Sequence, residues 1–340
     1  MSDERFRLRR ELGTGTWGTV YEAEDRQEGG FVALKVLHPV WERHASAASA
    51  LQRDIVRLRR IEHPNVARVH GLHTLAGRSA LVQERVVGLD IGALLRRLRA
   101  EGGSLPQQAV MELVAHVASA LQATHAEGVL HRGLKPGNLV LRADATCCVL
   151  DFGVARDEFD EAEAFTQSVR YGSLRYREPE RRHGGVALPE GDVYALGCLA
   201  FELLALRPLG NADAVAERHQ ERVRAALAEL AVSDAVRELI AAMVDHAPER
   251  RPPPSEVVAR AEAIAHAIGD GGLGSVARRY VPEAARLFDE PTDVGIATRL
   301  YEPALESATV VLPPEPRRDW ALWVTAIGLA VAGALILVPS

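Results

Sequence analysis

The spacing of apolar residues changes partway along the chain. Up to about Glu84, short apolar runs alternate with polar and glycine-containing stretches, and one stretch with helical spacing, 47–61, lies among them. Predicted strands cover 6–12, 20–24, 32–37, 67–72 and 80–84. This part of the pattern predicts a small, mostly antiparallel sheet with one helix.

Apolar spacing of three and four dominates after Gly88. It predicts helices over 105–127, 192–206, 213–230 and 233–244, and it fades after about Ile268. We therefore expect an α+β fold of two lobes within 6–268, with a sheet lobe over about 6–84 and a helical lobe over about 85–268. Glycines and prolines punctuate 269–318, which predicts a Pro/Gly-containing linker.

The segment after the linker is uncharged over 19 residues, 320–338. At ~1.5 Å of rise per residue such a helix spans about 28 Å, close to the roughly 30 Å hydrocarbon core of a bilayer. Arg317 and Arg318 precede the segment. These features predict a single-pass transmembrane helix over 319–338 with the preceding part of the chain in the cytoplasm.

Charge and residue composition limit the kinds of partner and site to expect in this chain. A formal net charge of −6 gives no global electrostatic reason to expect nucleic-acid binding. Cys147, Cys148 and Cys198 form no even framework and predict reduced thiols, not disulfides or metal ligands. Within the apolar segment, Gly328 and Ala332 form a small-xxx-small pair that could seat a second helix, which leaves a homodimer open.

A glycine-rich motif lies between two predicted strands. Gly13, Gly15 and Gly18 follow the spacing GxGxxG, and Lys35 comes 17 residues after Gly18. Glycine lets the backbone approach a phosphate without a side chain in the way. The same motif opens dinucleotide-binding folds, but there it starts a helix, whereas here Val20 begins a strand.

Further motifs appear in a fixed order, and together they resemble the eukaryotic-type Ser/Thr protein kinases of bacteria over about 6–266. These motifs are Leu81-Val82-Gln83-Glu84, the loop His131 to Asn138, Asp151-Phe152-Gly153, Glu178-Pro179-Glu180, Asp192 to Gly197 and Pro248 to Pro252. The resemblance implies a two-lobed protein-kinase-like fold and the cofactors ATP and Mg²⁺. With the apolar segment 319–338 and the arginines before it, we expect a place at the inner (cytoplasmic) membrane, with the kinase-like domain in the cytoplasm.

The same resemblance assigns residues to the nucleotide. It places adenine among Val20, Ala33 and Val140, with Gln83 as gatekeeper followed by Glu84 and Val86 of the hinge. The phosphates would meet Gly13, Gly15, Gly18, Lys35 and Lys135, and Asn138 and Asp151 would hold Mg²⁺. It also implies that Glu180 pairs with Arg251, that Asp192 braces the catalytic loop, and that His131 packs under Phe152.

Only two of the 40 Lys and Arg residues are lysines, and they are Lys35 and Lys135. Both occupy positions that the resemblance assigns to phosphate contact. A compact ammonium suits a phosphate oxygen in a way that a guanidinium fork does not reproduce. This coincidence favours retained phosphate binding.

Three positions depart from the family pattern. Gly133 stands where the catalytic Asp would accept the substrate proton. Asp54, one methylene shorter than the usual Glu, stands where a helix carboxylate would pair with Lys35. Glu178 replaces a small residue in the loop that would contact a substrate.

We therefore expect a membrane-anchored pseudokinase that binds Mg-ATP and acts through conformation or docking on a protein partner that the sequence does not identify. A slow or partner-activated Ser/Thr kinase is the alternative, and a nucleotide-free scaffold is a third.

Overall fold

The computed structural model describes residues 5–15, 18–39, 45–152, 173–183 and 185–289. The strands in these ranges are β1 (Phe6–Gly15), β2 (Gly18–Asp25), β3 (Phe31–Leu37), β4 (Val69–Leu75), β5 (Arg78–Glu84), β6 (Leu89–Asp90), β7 (Leu139–Leu141) and β8 (Cys147–Val149). The helices are α1 (Ala45–Leu58), α2 (Ile91–Glu101), α3 (Gln107–Ala126), α4 (Pro189–Ala205), α5 (Ala216–Ala228), α6 (Asp234–Met243), α7 (Pro254–Ile268) and α8 (Leu273–Asp289).

The first lobe is an antiparallel sheet with strand order β1-β2-β3-β5-β4, and α1 contacts β4. Burial alternates over the first residues of β1 and gives way to exposed positions toward its end, whereas β3 is buried at nearly every position because it lies in the middle of the sheet. The predicted small antiparallel sheet with one helix is confirmed.

The second lobe is built on helices. Helix α4 is apolar and buried on almost all sides, so it forms the centre of this lobe, and α3 packs on both α4 and α7. A short sheet of order β6-β7-β8 lies at the edge of this lobe. The predicted helical lobe is confirmed.

Helix α8 occupies part of 269–318, where the sequence predicted a linker. Its residues Leu273, Val276, Ala277, Tyr280 and Val281 are all buried. These residues have helical spacing, but Gly271-Gly272 before them and Pro282 after them are typical of a linker. The folded part of the chain therefore extends past Ile268.

Among the described residues, no helix is long and apolar enough to cross a bilayer. The predicted transmembrane segment, 319–338, lies outside them, as does the part of the predicted linker after Asp289.

Candidate functional site

A cleft of about 320 Å³ lies between the sheet and the helical lobe. Its walls come from the β1–β2 hairpin, β3, the end of β5 with the segment after it, and the chain from Lys135 to Asp151. The residues that the sequence assigned to nucleotide or metal and that line this cleft are Gly13, Gly15, Gly18, Val20, Ala33, Lys35, Gln83, Glu84, Val86, Lys135, Asn138, Val140 and Asp151. Residues from distant parts of the chain thus share one cavity.

The glycine motif forms the open end of the β1–β2 hairpin, where Gly13 pairs with Val20 and Gly15 with Gly18. A Cβ added at Gly13 or Gly15 would meet nothing within 4 Å, so their backbone borders open space. A Cβ at Gly18 would lie 2.2 Å from the Val36 carbonyl oxygen. Two glycines therefore leave room for a ligand, and the third lets the hairpin pack on β3.

Lys35 is held by the register of the sheet. It pairs across the sheet with Leu81 while Ala33 pairs with Gln83, and the period of two along β3 places Ala33 and Lys35 on the same face. Lys35 is buried, and its Nζ lies 2.9 Å from Asp151 Oδ2. An ammonium and a carboxylate therefore meet in the cleft.

Asp151 and Asn138 present oxygen ligands to the same cavity. Mg²⁺ in phosphate sites is commonly held by one or two protein oxygens together with phosphate oxygens, so this pair fits the ion. Asp151 adopts a left-handed backbone conformation with φ of 54°. This conformation is uncommon for a residue with a side chain and occurs mainly where the surroundings enforce it.

The loop around Gly133 is ordered although it carries no carboxylate at that position. Asn138 Nδ2 donates to the Gly133 carbonyl oxygen at 2.9 Å, and Leu150 N donates to the Asn138 carbonyl oxygen at 2.8 Å. Glycine thus removes a proton acceptor without releasing the loop.

Asp192 at the start of α4 braces this loop, as expected. It accepts hydrogen bonds from the backbone N–H groups of His131 at 2.7 Å and Arg132 at 2.8 Å, and His125 Nε2 lies 2.9 Å away. Burial opposes ionisation, but the hydrogen bond with His125 and the nearby His131 hold the pKa of Asp192 below its ordinary value. Arg132 adopts a left-handed backbone conformation, with φ of 58°. The hydrogen bonds from the His131 and Arg132 N–H groups to Asp192 stabilise this conformation.

Two other expected contacts are present. The rings of His131 and Phe152 lie 5.0 Å apart between centroids, consistent with the expected packing of His131 under Phe152. Arg251 donates to both carboxylate oxygens of Glu180, at 2.7 and 2.8 Å. Both contacts are structural.

Asp54 lies on α1, and its Oδ1 is 3.8 Å from Arg57 Nη1 on the same helix. The ion pair that Lys35 makes among the described residues is with Asp151. The pairing of Lys35 with Asp54 stays a prediction.

Glu178 is buried against the start of α4, where a Cβ on Gly191 would lie 2.6 Å from Glu178 Oε1. Its Oε1 is 3.8 Å from Arg181 Nε. Burial, with Glu180 and Asp192 nearby, raises the pKa of Glu178 to about 7. The substitution therefore buries a carboxyl group instead of exposing one to a docking peptide.

Seven further residues line the cleft without having been predicted from a sequence motif. They are Leu12, Thr14, Arg85, Gly88, Asp90, Gly137 and Leu150. Asp90 could have been predicted as a helix N-cap, because it stands just before the apolar run of α2. In the structure its carboxylate accepts a hydrogen bond from Ala93 N at 2.5 Å. Burial raises the pKa of Asp90, and Arg96 and Lys135 offset this only in part.

Comparison with known proteins gives a consistent result. The family model "Protein kinase domain" matches residues 6–261. Serine/threonine-protein kinase PknE of Mycobacterium bovis is 35% identical over 209 residues, which cover 61% of this chain and 36% of PknE. PknD of Mycobacterium tuberculosis is 33% identical over 210 residues, which cover 62% of this chain and 31% of PknD.

The probable serine/threonine-protein kinase PknB of Lactococcus lactis is 30% identical over 202 residues, which cover 59% of this chain and 31% of PknB. The chain spans about a third of the length of these curated relatives. Because the two lobes, the contents of the cleft and the match over residues 6–261 agree, this chain belongs to the protein kinase family, whose members generally use ATP and Mg²⁺.

Proposed function

We propose that this chain binds Mg-ATP in the cleft between its lobes and that its phosphotransfer is lost or strongly impaired. The observation that carries the proposal is a contrast within the same site. Glycine stands at the position of the base, whereas Lys35, Lys135, Asn138 and Asp151 line the cleft together. The chain would then signal through its conformation or through a docked protein.

Retention of the lysines supports nucleotide binding. They are the only two lysines of the chain, and both border the same cavity. Asp151 and Asn138 would hold Mg²⁺, which when bound neutralises phosphate charge. Lys35, already paired with Asp151, would meet the α- and β-phosphates.

Loss of the base supports impaired transfer. A general base typically contributes about 10²- to 10⁴-fold in rate. Phosphoryl transfer depends mostly on positioning and charge neutralisation, so its removal slows the reaction without making it impossible. Gly133 leaves its own carbonyl, held by Asn138, but no side chain to accept a proton.

Nucleotide binding is tested by following the melting temperature of the full chain in detergent micelles with increasing Mg-ATP. A ligand at about 100 times its Kd stabilises the fold by about 2.7 kcal/mol, so the melting temperature should rise. Lys35→Ala should reduce the rise, whereas Arg207→Ala, which alters an exposed ion pair, should keep it. No rise at millimolar nucleotide in the wild type would favour the nucleotide-free scaffold.

Transfer is tested in single-turnover reactions with ATP labelled on its γ-phosphate. We expect no transfer, or very slow transfer, in the wild type and a gain in Gly133→Asp, which restores the acceptor. Readily measured wild-type transfer that disappears in Lys35→Ala would establish the slow kinase instead. The retained cluster of Lys135, Asn138 and Asp151 is the observation that favours this second candidate.

Membrane anchoring is a separate part of the proposal. It is supported by the 19 uncharged residues of 320–338, after Arg317 and Arg318, which would hold the kinase-like domain on the cytoplasmic face. Deleting 319–340 should move the protein from the membrane pellet to the supernatant. Retention of the deleted form in the pellet would argue against an anchor here.

A further inference from the structure

The chain between α7 and α8 is attached to the first turn of α3. Asp270 accepts hydrogen bonds from the backbone N–H groups of Gln107 at 3.0 Å and Gln108 at 2.9 Å. The N-cap residue of α3, Pro106, supplies no side-chain hydrogen bond. Asp270 therefore caps this helix from a distant part of the chain, where its negative charge also complements the helix dipole.

The two glycines after Asp270 are required by this attachment. Gly271 has φ of +126°, a conformation that favours glycine, and its N–H donates to Gln108 Oε1 at 3.0 Å. A Cβ on Gly272 would lie 2.6 Å from Glu112 Oε1, while Glu112 Oε2 accepts from Leu273 N at 2.6 Å. The glycine pair serves a tight docking turn, not a loose tether.

Helix α8 then packs across the helical lobe. Its apolar face is buried, and α8 contacts both α3 and β6. Two guanidinium groups lie near the centroid of the Tyr280 ring, that of Arg97 of α2 at 5.0 Å and that of Arg279 of its own helix at 5.1 Å. Tyr280 thus connects α8 to α2.

The elements that α8 contacts form one rim of the nucleotide cleft. Strand β6 pairs with β7 through Asp90 and Val140, and both residues line the cleft. Asp90 is also the N-cap of α2. A displacement of α8 would therefore reach Asp90 through two packed elements.

We propose that docking of α8 and binding of nucleotide are thermodynamically coupled, because docked α8 holds β6 and α2 in the arrangement that completes the cleft. The proposal rests on nucleotide binding by this site. Linkage is reciprocal, so nucleotide strengthens the docking of α8 by the same factor by which docking strengthens nucleotide affinity. A partner that captures α8, or a pull on the chain beyond it, would then release nucleotide.

The test uses the full chain in detergent micelles, a fluorescent ATP analogue with Mg²⁺, and hydrogen exchange. Tyr280→Ala should weaken analogue binding about 5-fold or more, the lower end of ordinary coupling, and should speed amide exchange over residues 89–98. Tyr280→Phe, which keeps an aromatic ring near both arginines, should bind the analogue and exchange its amides as the wild type does. Leu227→Ala, a buried truncation on α5, should change neither.

The outcomes separate the two proposals. No saturable binding to the wild type overturns nucleotide binding and the coupling together. Wild-type binding with an unchanged Kd in Tyr280→Ala overturns the coupling alone, and so does an equal loss in Leu227→Ala, which would indicate general destabilisation. If Tyr280→Ala fails to fold, exchange over residues 273–281 of the wild type decides: slower exchange with Mg-nucleotide supports the coupling, and unchanged exchange overturns it.

Discussion

At the scale of single residues, the two departures in the second lobe act in different ways. Gly133 removes a functional group and leaves its loop in place through Asn138 and Asp192. Glu178 adds a functional group and buries it over Gly191. The first change concerns chemistry, and the second concerns stability and its dependence on pH.

We expect Glu178 to make the fold less stable as pH rises from about 4.5 to about 7. Its pKa is raised from 4.5 to about 7, so over this window the folded state keeps a proton that the unfolded chain has released. The penalty is complete above pH 7 and is on the order of 3 kcal/mol. Glu178→Gln should flatten the pH dependence of unfolding and be more stable than wild type at pH 8.

Thermal unfolding between pH 5 and 8 measures this effect. Glu238→Gln, at an exposed position on α6, is the matched control and should retain the wild-type dependence. If Glu178→Gln and wild type change with pH in parallel, the buried carboxyl is not the group responsible.

At the scale of elements, one arginine joins three segments of the helical lobe. Arg251 binds Glu180 through two hydrogen bonds, and it also donates to the backbone carbonyls of Asp245 and Glu190. Its side chain is completely buried. The segment that carries Glu180, the start of α4 and the loop after α6 therefore share one guanidinium.

Arg251→Ala should destabilise the fold by about 3–5 kcal/mol, because it removes the donor from the Glu180 carboxylate and from three backbone carbonyls, those of Asp245, Glu190 and His246. Arg207→Ala, which removes an exposed pair with Glu229, should cost about 1 kcal/mol or less. Denaturant unfolding of both variants gives the comparison. If the free energy of unfolding falls by a similarly small amount in both variants, water replaces the contacts of Arg251.

The elements also show what could be predicted from the sequence. The first sheet and the contacts Asp192–Arg132 and Glu180–Arg251 followed from ordered motifs, because each motif implies a fixed local geometry. Helix α8 could not be predicted from local sequence. The glycines before it, Gly271 and Gly272, are required by contacts with Gln108 and Glu112, which lie over 150 residues earlier in the chain. Local pattern does not record such contacts.

At the scale of the whole molecule, the cleft assembles residues from the hairpin at Gly13 to Asp151, which follows β8. The order of the motifs predicted most of these residues. The positions of Arg85 and Asp90 in the cleft could not be predicted in this way, because they depend on the path of the chain between β5 and α2. The match to the family model ends at residue 261, but burial continues to Val281. The folded unit is therefore longer than the family domain.

The placement of both lysines in the cleft has a practical consequence. In most proteins an amine-reactive reagent modifies many scattered surface lysines, but here the only lysine side chains available to it border one cavity. Acylation of the purified chain, followed by peptide mass spectrometry, would therefore report on this cavity and on the terminal amine. Lys135 should react before the buried, ion-paired Lys35, and a ligand seated between them should shield both. Occupancy of the site could then be followed by chemical footprinting without any engineered label.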